Sequence, residues 1–139
     1  NEQMDAYIEV SKDAKANLDS ITANALFKSF IYITVQDGQY LKIRDCYAVP
    51  VDQAPLFTPE EGQYTDGMYK VGTDIPKGEY KVSVNENAQL KMGYVEVTKD
   101  STLTLDSIIT NELVEGNTYI EIEEGQYLSL RDAFIKVSG

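Results

Sequence analysis

The stretch TYIEIEEGQYLSLRDAFIKV, residues 118–137, contains three short runs in which apolar and polar residues alternate. Alternation with a period of two places the apolar side chains on one face of a β-strand. Glu124-Gly125 separates the first two runs, and a glycine at such a position supplies the positive φ of a tight hairpin turn. The stretch therefore predicts antiparallel strands that are buried on one face.

The same pattern occurs earlier in the chain as IYITVQDGQYLKIRDCYAVP, residues 31–50. Residues 7–49 align with residues 94–136 at a constant offset of 87 without a gap, and 19 of the 43 aligned pairs are identical. A repeat of this length means that one folding unit is used twice. We therefore predict a first β-repeat over residues 1–51 and a second, complete β-repeat over residues 68–139.

The segment between the repeats, residues 52–67, contains two prolines and two glycines and little periodicity, so it predicts a linker. A further hairpin is predicted over residues 68–84, with its turn at Pro76 and Gly78. The first repeat has no counterpart of this hairpin within these residues, either because its opening residues were lost by truncation or because it never had them. We therefore expect the first repeat to have an open sheet edge, which invites strand addition from a neighbour or formation of a homodimer.

These patterns predict an all-β fold, with tandem antiparallel β-sandwich or jelly-roll-like repeats. The segment with helical character is residues 106–113 together with its partner from Asp19, where an Asp or Ser side chain can cap a turn or two. We thus expect a short helical turn in each repeat. A single pseudo-symmetric domain with one shared core is the competing architecture.

The composition restricts the possible chemistry of the chain of 139 residues. Its formal net charge is −11, so nucleic acids and anionic bilayers are repelled, and no run is apolar and long enough for membrane insertion. The chain has no histidine, and its single cysteine, Cys46, aligns with Ala133 and is expected to be buried and inert. The acidic residues match no EF-hand pattern. We expect no catalytic residues, no metal site and no cofactor.

Tyrosine is abundant, and both repeats contain the same combination of tyrosines and an arginine on polar strand faces. Tyrosine and arginine are enriched at binding surfaces. The predicted ligand-binding residues are therefore Tyr32, Tyr40, Arg44, Tyr119, Tyr127 and Arg131. In the alternative interpretation the tyrosines only cover a sheet face, and the repeated Arg-Asp pairs close a corner of the sandwich.

Two segments resemble a known family. The string GMYKVGTDIPKGEYKV, residues 67–82, resembles the opening of a repeat domain of secreted proteins and lipoproteins of Gram-positive, clostridial-type bacteria, and residues 37–51 resemble its closing strands. The resemblance implies an extracellular or cell-envelope location, with a lipid anchor in a segment upstream of these residues, and an all-β fold. It implies no reaction.

The function that we predict is a non-catalytic binding or spacer module of a lipoprotein or adhesin, with a protein or glycan ligand at the cell surface. Tandem duplication favours binding, because two linked weak sites gain avidity through effective concentration. A carbohydrate-binding module, or an accessory domain of a carbohydrate-active enzyme, is the alternative, and a purely structural stalk is a third interpretation.

Overall fold

The computed structural model describes residues 5–15, 17–55, 57–59, 61–88 and 90–137. The described residues form eleven β-strands and three single 3-10 turns, the turns lying at Leu18–Ser20, Val51–Gln53 and Leu105–Ser107. The strands are β1 (Ala6–Ser11), β2 (Ile21–Phe27), β3 (Tyr40–Arg44), β4 (Gln63–Tyr64), β5 (Gly67–Lys70), β6 (Gly78–Val84), β7 (Gly93–Thr98), β8 (Ile108–Val114), β9 (Asn117–Ile122), β10 (Tyr127–Arg131) and β11 (Ala133–Lys136).

The second repeat is a complete β-sandwich. Its two four-stranded sheets have the strand orders β5-β10-β7-β8 and β4-β11-β6-β9, and every named strand pair is antiparallel. The alternating apolar side chains of both sheets point inward and form one core that includes Val82, Val95, Ile122 and Leu128. The predicted all-β, antiparallel fold is confirmed.

The first repeat reproduces only one of these two sheets. Its strand order is β2-β1-β3, which corresponds to β8-β7-β10 of the second repeat. The register is the same, because Tyr7 lies opposite Leu26 and Arg44 just as Tyr94 lies opposite its equivalents 87 positions on. Both repeats also have a register shift at the end of the central strand, after Val10 in the first. The repeated sequence thus encodes the same three-stranded unit twice.

The second sheet of the sandwich depends on β6, which pairs with β11 on one side and β9 on the other. Subtracting the repeat offset from Gly78–Val84 gives positions ahead of residue 1, so no counterpart of β6 lies within residues 1–139. The counterparts of β9 and β11 are residues 30–35 and 46–49. Neither segment forms a strand, because the strand that would join them into a sheet is not among these residues.

The missing sheet leaves the apolar face of the first repeat partly uncovered. Leu128 and Leu130 of β10 are 0% and 4% exposed, whereas their equivalents Leu41 and Ile43 of β3 are 40% and 41% exposed. The identical leucine in the identical register is therefore core in one repeat and partly surface in the other. Cys46 differs from the prediction for the same reason: it is half-buried, while the equivalent alanine is completely buried.

Several of the repeated identities belong to a hydrogen-bond network on the outer sheet face. Asn111 donates to the hydroxyl of Tyr94 at 3.1 Å, and that hydroxyl donates to Glu96 at 2.6 Å. The same three residues occur 87 positions earlier, with distances of 3.4 and 2.6 Å. Burial, followed by the bond to Glu96, raises the pKa of Tyr94 to about 12. These identities are explained by sheet structure and need no ligand.

The predicted helical turns are confirmed as 3-10 turns, but their extent was predicted wrongly. In the second repeat the turn ends at Ser107, and residues 108–114 form β8. In the first repeat the turn is capped by Asn17, whose side chain accepts from the backbone N–H of Ser20 at 3.1 Å. Pairing with the neighbouring strand overrides the local helical pattern of residues 106–113.

The segment predicted as a linker contributes to the second sandwich. β4 pairs with β11, and Phe57 contacts Tyr64 and Tyr69 with ring centroids 5.6 and 5.0 Å apart. Phe57 therefore packs against the core of the second repeat.

Candidate functional site: an aromatic junction between the repeats

The two repeats meet along residues 30–34, which we term the strap. The backbone carbonyl of Phe30 accepts a hydrogen bond from the Met68 N–H at 3.2 Å, and the Thr34 N–H donates to the Ser101 carbonyl at 2.8 Å. Contacts at alternate residues are typical of an extended chain. The strap is the counterpart of β9, and it lies against the second repeat.

Tyr32 lies at the centre of the strap. Its hydroxyl donates to the carboxylate of Asp74, which also accepts from the Lys70 N–H at 2.9 Å. Its ring lies 5.3 Å from that of Tyr127 at an interplanar angle of 58°. Burial, followed by the contact with Asp74, raises the pKa of the Tyr32 hydroxyl well above its ordinary value. Tyr32 is thus a neutral donor to a buried carboxylate.

A cleft of about 440 Å³ lies at one end of the strap. Its apolar wall is formed by aromatic rings: Phe30 contacts Tyr69 edge-on at 5.1 Å and Phe57 at 5.4 Å. The acidic residues Glu61 and Asp66 also line the cleft. The cleft therefore combines an aromatic wall with negative charge.

Asp66 connects the cleft to the first repeat. Its carboxylate accepts from the Asp132 N–H at 2.8 Å, and its carbonyl accepts from the hydroxyl of Ser29. Burial raises the pKa of Asp66, while the hydrogen bond from Asp132 acts in the opposite direction. The Asp132 carboxylate itself lies 3.6 Å from the ammonium group of Lys28.

Three of the six sequence-predicted ligand-binding residues contact the other repeat, two of them against each other at the strap. They are Tyr32, Tyr127 and Arg131. Arg131 contacts the carboxylate of Asp5 at 3.1 Å, so it pairs with the first repeat. In these positions the predicted residues bind the other repeat.

The other three lie apart from the junction and are exposed. Tyr40 is 54% exposed on β3, and Tyr119 is 62% exposed on the edge strand β9. The guanidinium of Arg44 lies 5.7 Å from the ring centroid of Tyr7, within the range of a cation–π contact. The two repeats therefore do not present equivalent Tyr-Tyr-Arg surfaces.

The repeated Arg-Asp pairs have a backbone explanation. Asp45 and Asp132 have φ values of 58° and 53°, in the left-handed region that Asp tolerates better than most residues. Each aspartate directly follows a strand that pairs with the central strand of its repeat, β3 in the first repeat and β10 in the second. The aspartate is therefore required by the turn in both repeats.

Sequence reasoning missed Phe30, Phe57, Asp66 and Asp74. The signal for Phe30 was present, because an aromatic residue replaces Asn117 of the second repeat at the equivalent position. Phe57 is an isolated aromatic residue in a segment that otherwise has the composition of a linker. No sequence pattern identified the two aspartates.

The junction has the chemistry of a binding site. Among the described residues no group of three or more His, Cys, Asp or Glu side chains could hold a metal ion. The Cys46 thiol lies 3.6 Å from the carbonyl of Tyr7, and the chain has no histidine to act as its base. Aromatic rings and carboxylates can hold a cationic or hydroxyl-bearing group without reacting with it.

Comparison with known proteins relates part of the chain to a family of extracellular domains. Residues 61–128 match the family described as the Rv1352-like extracellular domain. The matched residues begin just before β4 and end within β10, so most of them belong to the second repeat. No curated protein and no solved structure matches the chain. The match confirms the predicted extracellular location. In the described ranges, no helix has the length and apolar character required to cross a membrane.

Proposed function

We propose that the chain is a non-catalytic binding module of a Gram-positive cell-surface protein, a lipoprotein or an adhesin, and that it binds a protein segment rich in basic side chains. The observation that carries this proposal is the cleft at the junction, with its aromatic wall and its acidic residues. The ligand is held between the strap and the first residues of the second sandwich.

The side chains of the cleft suit a lysine or arginine. The apolar stem of such a residue can lie along Phe30 and Phe57, while its charge meets Glu61 or Asp66. Residues 52–139 contain 16 acidic and 7 basic residues, so they carry −9 of the net charge of −11. This field attracts cationic segments and accelerates their encounter with the cleft.

The absence of catalysis is supported by the residues available. Histidine is absent from the sequence, and the one thiol has no base beside it.

A carbohydrate-binding module is the second candidate, and the exposed tyrosines Tyr40 and Tyr119 favour it. A sugar ring stacks on a free aromatic face. The tyrosines of the junction do not offer one, because Tyr64 and Tyr69 are buried and meet edge-on at 5.1 Å. We therefore prefer a basic protein segment as the ligand.

The test is a binding assay on immobilised protein with basic peptides, neutral peptides, a glycan panel and isolated Gram-positive cell wall. We expect Glu61→Gln to weaken binding of a basic peptide by roughly tenfold, as the loss of one charged contact implies. Glu79→Gln is the matched control, since Glu79 is also exposed but lies on β6 outside the cleft.

Equal binding by both variants would contradict the location of the site. Binding of glycans that is lost in the Tyr40→Ala/Tyr119→Ala variant would select the carbohydrate-binding function instead. If no ligand in the panel binds, the spacer interpretation replaces binding.

A further inference from the structure

Among the described residues, the first repeat has an unpaired edge at the place where the second repeat has a paired strand. β10 lies between β5 and β7, whereas its equivalent β3 pairs with β1 and is an edge strand of its sheet. An edge strand presents backbone N–H and C=O groups that another strand can pair with. The second repeat therefore serves as a template for what the first repeat lacks.

The face beside this edge is apolar and partly uncovered. Leu41 and Ile43 on β3 are exposed, and Val35 after the strap is 41% exposed, whereas its equivalent Ile122 is completely buried. These residues lie where the missing sheet would cover them. An apolar face of this kind is normally buried against another element.

The sequence of the first repeat makes this face more apolar than its counterpart. Ala23 and Ala25 of β2 lie opposite Val10 and Ile8 of the central strand. The equivalent residues of β8 are a threonine and a glutamate. The inner face of the first repeat is thus less covered than that of the second repeat, yet it carries fewer polar side chains. Such a composition is typical of a surface that becomes buried.

The strap can accept a strand partner without leaving the second repeat. Phe30, Tyr32 and Thr34 make the contacts with the second repeat, through both their side chains and their backbone groups. Ile31 and Ile33 alternate with these residues, and their backbone groups make no hydrogen bond to another described residue. Because N–H and C=O groups of alternate residues point to opposite sides of an extended chain, this side of the strap is free for pairing.

We propose that the first repeat binds a β-hairpin with the chemistry of residues 67–84, supplied by polypeptide outside residues 1–139. The first strand of the hairpin pairs with β3, as β5 pairs with β10, and its second strand pairs with the strap, as β6 pairs with β9. Its inward side chains are large and apolar, as Tyr69 and Val82 are in the second repeat. Binding completes a sandwich in the first repeat by strand addition.

A second copy of the chain fits this site less well than a hairpin. Antiparallel pairing of two β3 strands that brings Leu41 opposite Ile43 also brings Lys42 opposite the Lys42 of the other copy, and like charges directly opposite are unfavourable. Each copy also carries a net charge of −11. Such a pair would extend the sheet but would leave its apolar face uncovered.

The test uses a synthetic peptide with the sequence GMYKVGTDIPKGEYKVSV, residues 67–84, titrated into the intact chain. We expect saturable 1:1 binding by calorimetry and changes in the amide NMR signals of β3 and the strap. Leu41→Asp should abolish binding. Leu26→Asp is the matched control, because Leu26 is exposed on β2 but shares the outer face with Tyr7.

A second peptide makes the test independent of protein folding. N-methylation of alternate peptide amides blocks strand pairing and leaves the protein unchanged, so it should remove binding to the parent chain. No binding tighter than about 1 mM would overturn the proposal. So would signal changes confined to β10 of the second repeat, or a concentration-dependent dimer of the chain that the peptide does not dissociate.

Discussion

Truncation of the same leucine in both repeats gives unequal losses of stability if the first repeat is open. Leu41 and Leu128 occupy identical positions in the repeat, on β3 and β10, and face the same side of their sheets. Leu128 is 0% exposed and Leu41 is 40% exposed. Leu→Ala at each position removes the same atoms from two different environments.

The expected magnitudes follow from burial. Leu128→Ala leaves a cavity in a closed core, and such substitutions cost about 3 kcal/mol. At position 41 about three fifths of the side chain is removed from solvent, and the open site leaves no sealed cavity. The transfer term alone then amounts to about 1 kcal/mol. We expect a difference of about 2 kcal/mol between the two variants.

The assay is urea unfolding followed through amide NMR signals, so that the two repeats are observed separately. The free energy of unfolding of each repeat is compared with that of the parent chain. Equal losses of about 3 kcal/mol in both variants would refute the reasoning, because position 41 would then be as well covered as position 128.

Three further predictions concern the junction. Tyr32→Phe removes the hydroxyl that donates to buried Asp74, and it should lower the free energy of unfolding in urea titrations by about 1–3 kcal/mol. Tyr40→Phe should leave the free energy of unfolding unchanged, because the Tyr40 hydroxyl has no protein partner among the described residues. Folding raises the pKa of Tyr94 to about 12 and also raises the pKa of Tyr32, so these tyrosines ionise first in the unfolded chain. The free energy of unfolding should therefore be constant below pH about 10 and should fall as the pH rises toward about 12. A urea midpoint that stays constant from pH about 10 to about 12 would contradict this prediction. Asp66→Asn keeps an acceptor for the Asp132 N–H and removes a charge that burial disfavours. The urea midpoint of this variant at neutral pH should therefore equal or exceed that of the parent chain. A clear decrease of the midpoint would show that the carboxylate charge stabilises the fold.

The repeat made much of the fold predictable. A constant offset of 87 fixes which strands are equivalent, and alternation identifies their apolar faces, so the register of β1 and β3 follows from that of β7 and β10. The open edge of the first repeat followed from the hairpin at residues 68–84, which has no counterpart within residues 1–139. These features depend on local pattern and on comparison within the chain.

The helical segment and the junction were not predictable in the same way. Ile108, Ile109 and Leu113 are spaced as on a helix, and only pairing with β7 makes this segment a strand. Tyr32 and Tyr119 have the same local sequence pattern, yet Tyr32 is half-buried at the junction and Tyr119 is exposed. The difference arises because the strap has no sheet partner in its own repeat and contacts the second repeat.

Hydrogen exchange of the β3 and β10 amides tests most directly whether the chain is one complete sandwich joined to one open sheet. β10 has a strand on each side, so all its amides should be protected. In β3 only the amides that face β1 should be protected, and the alternate amides should exchange rapidly. Protection of every β3 amide to the level of β10 would contradict this account, because the edge of the first repeat would then be paired.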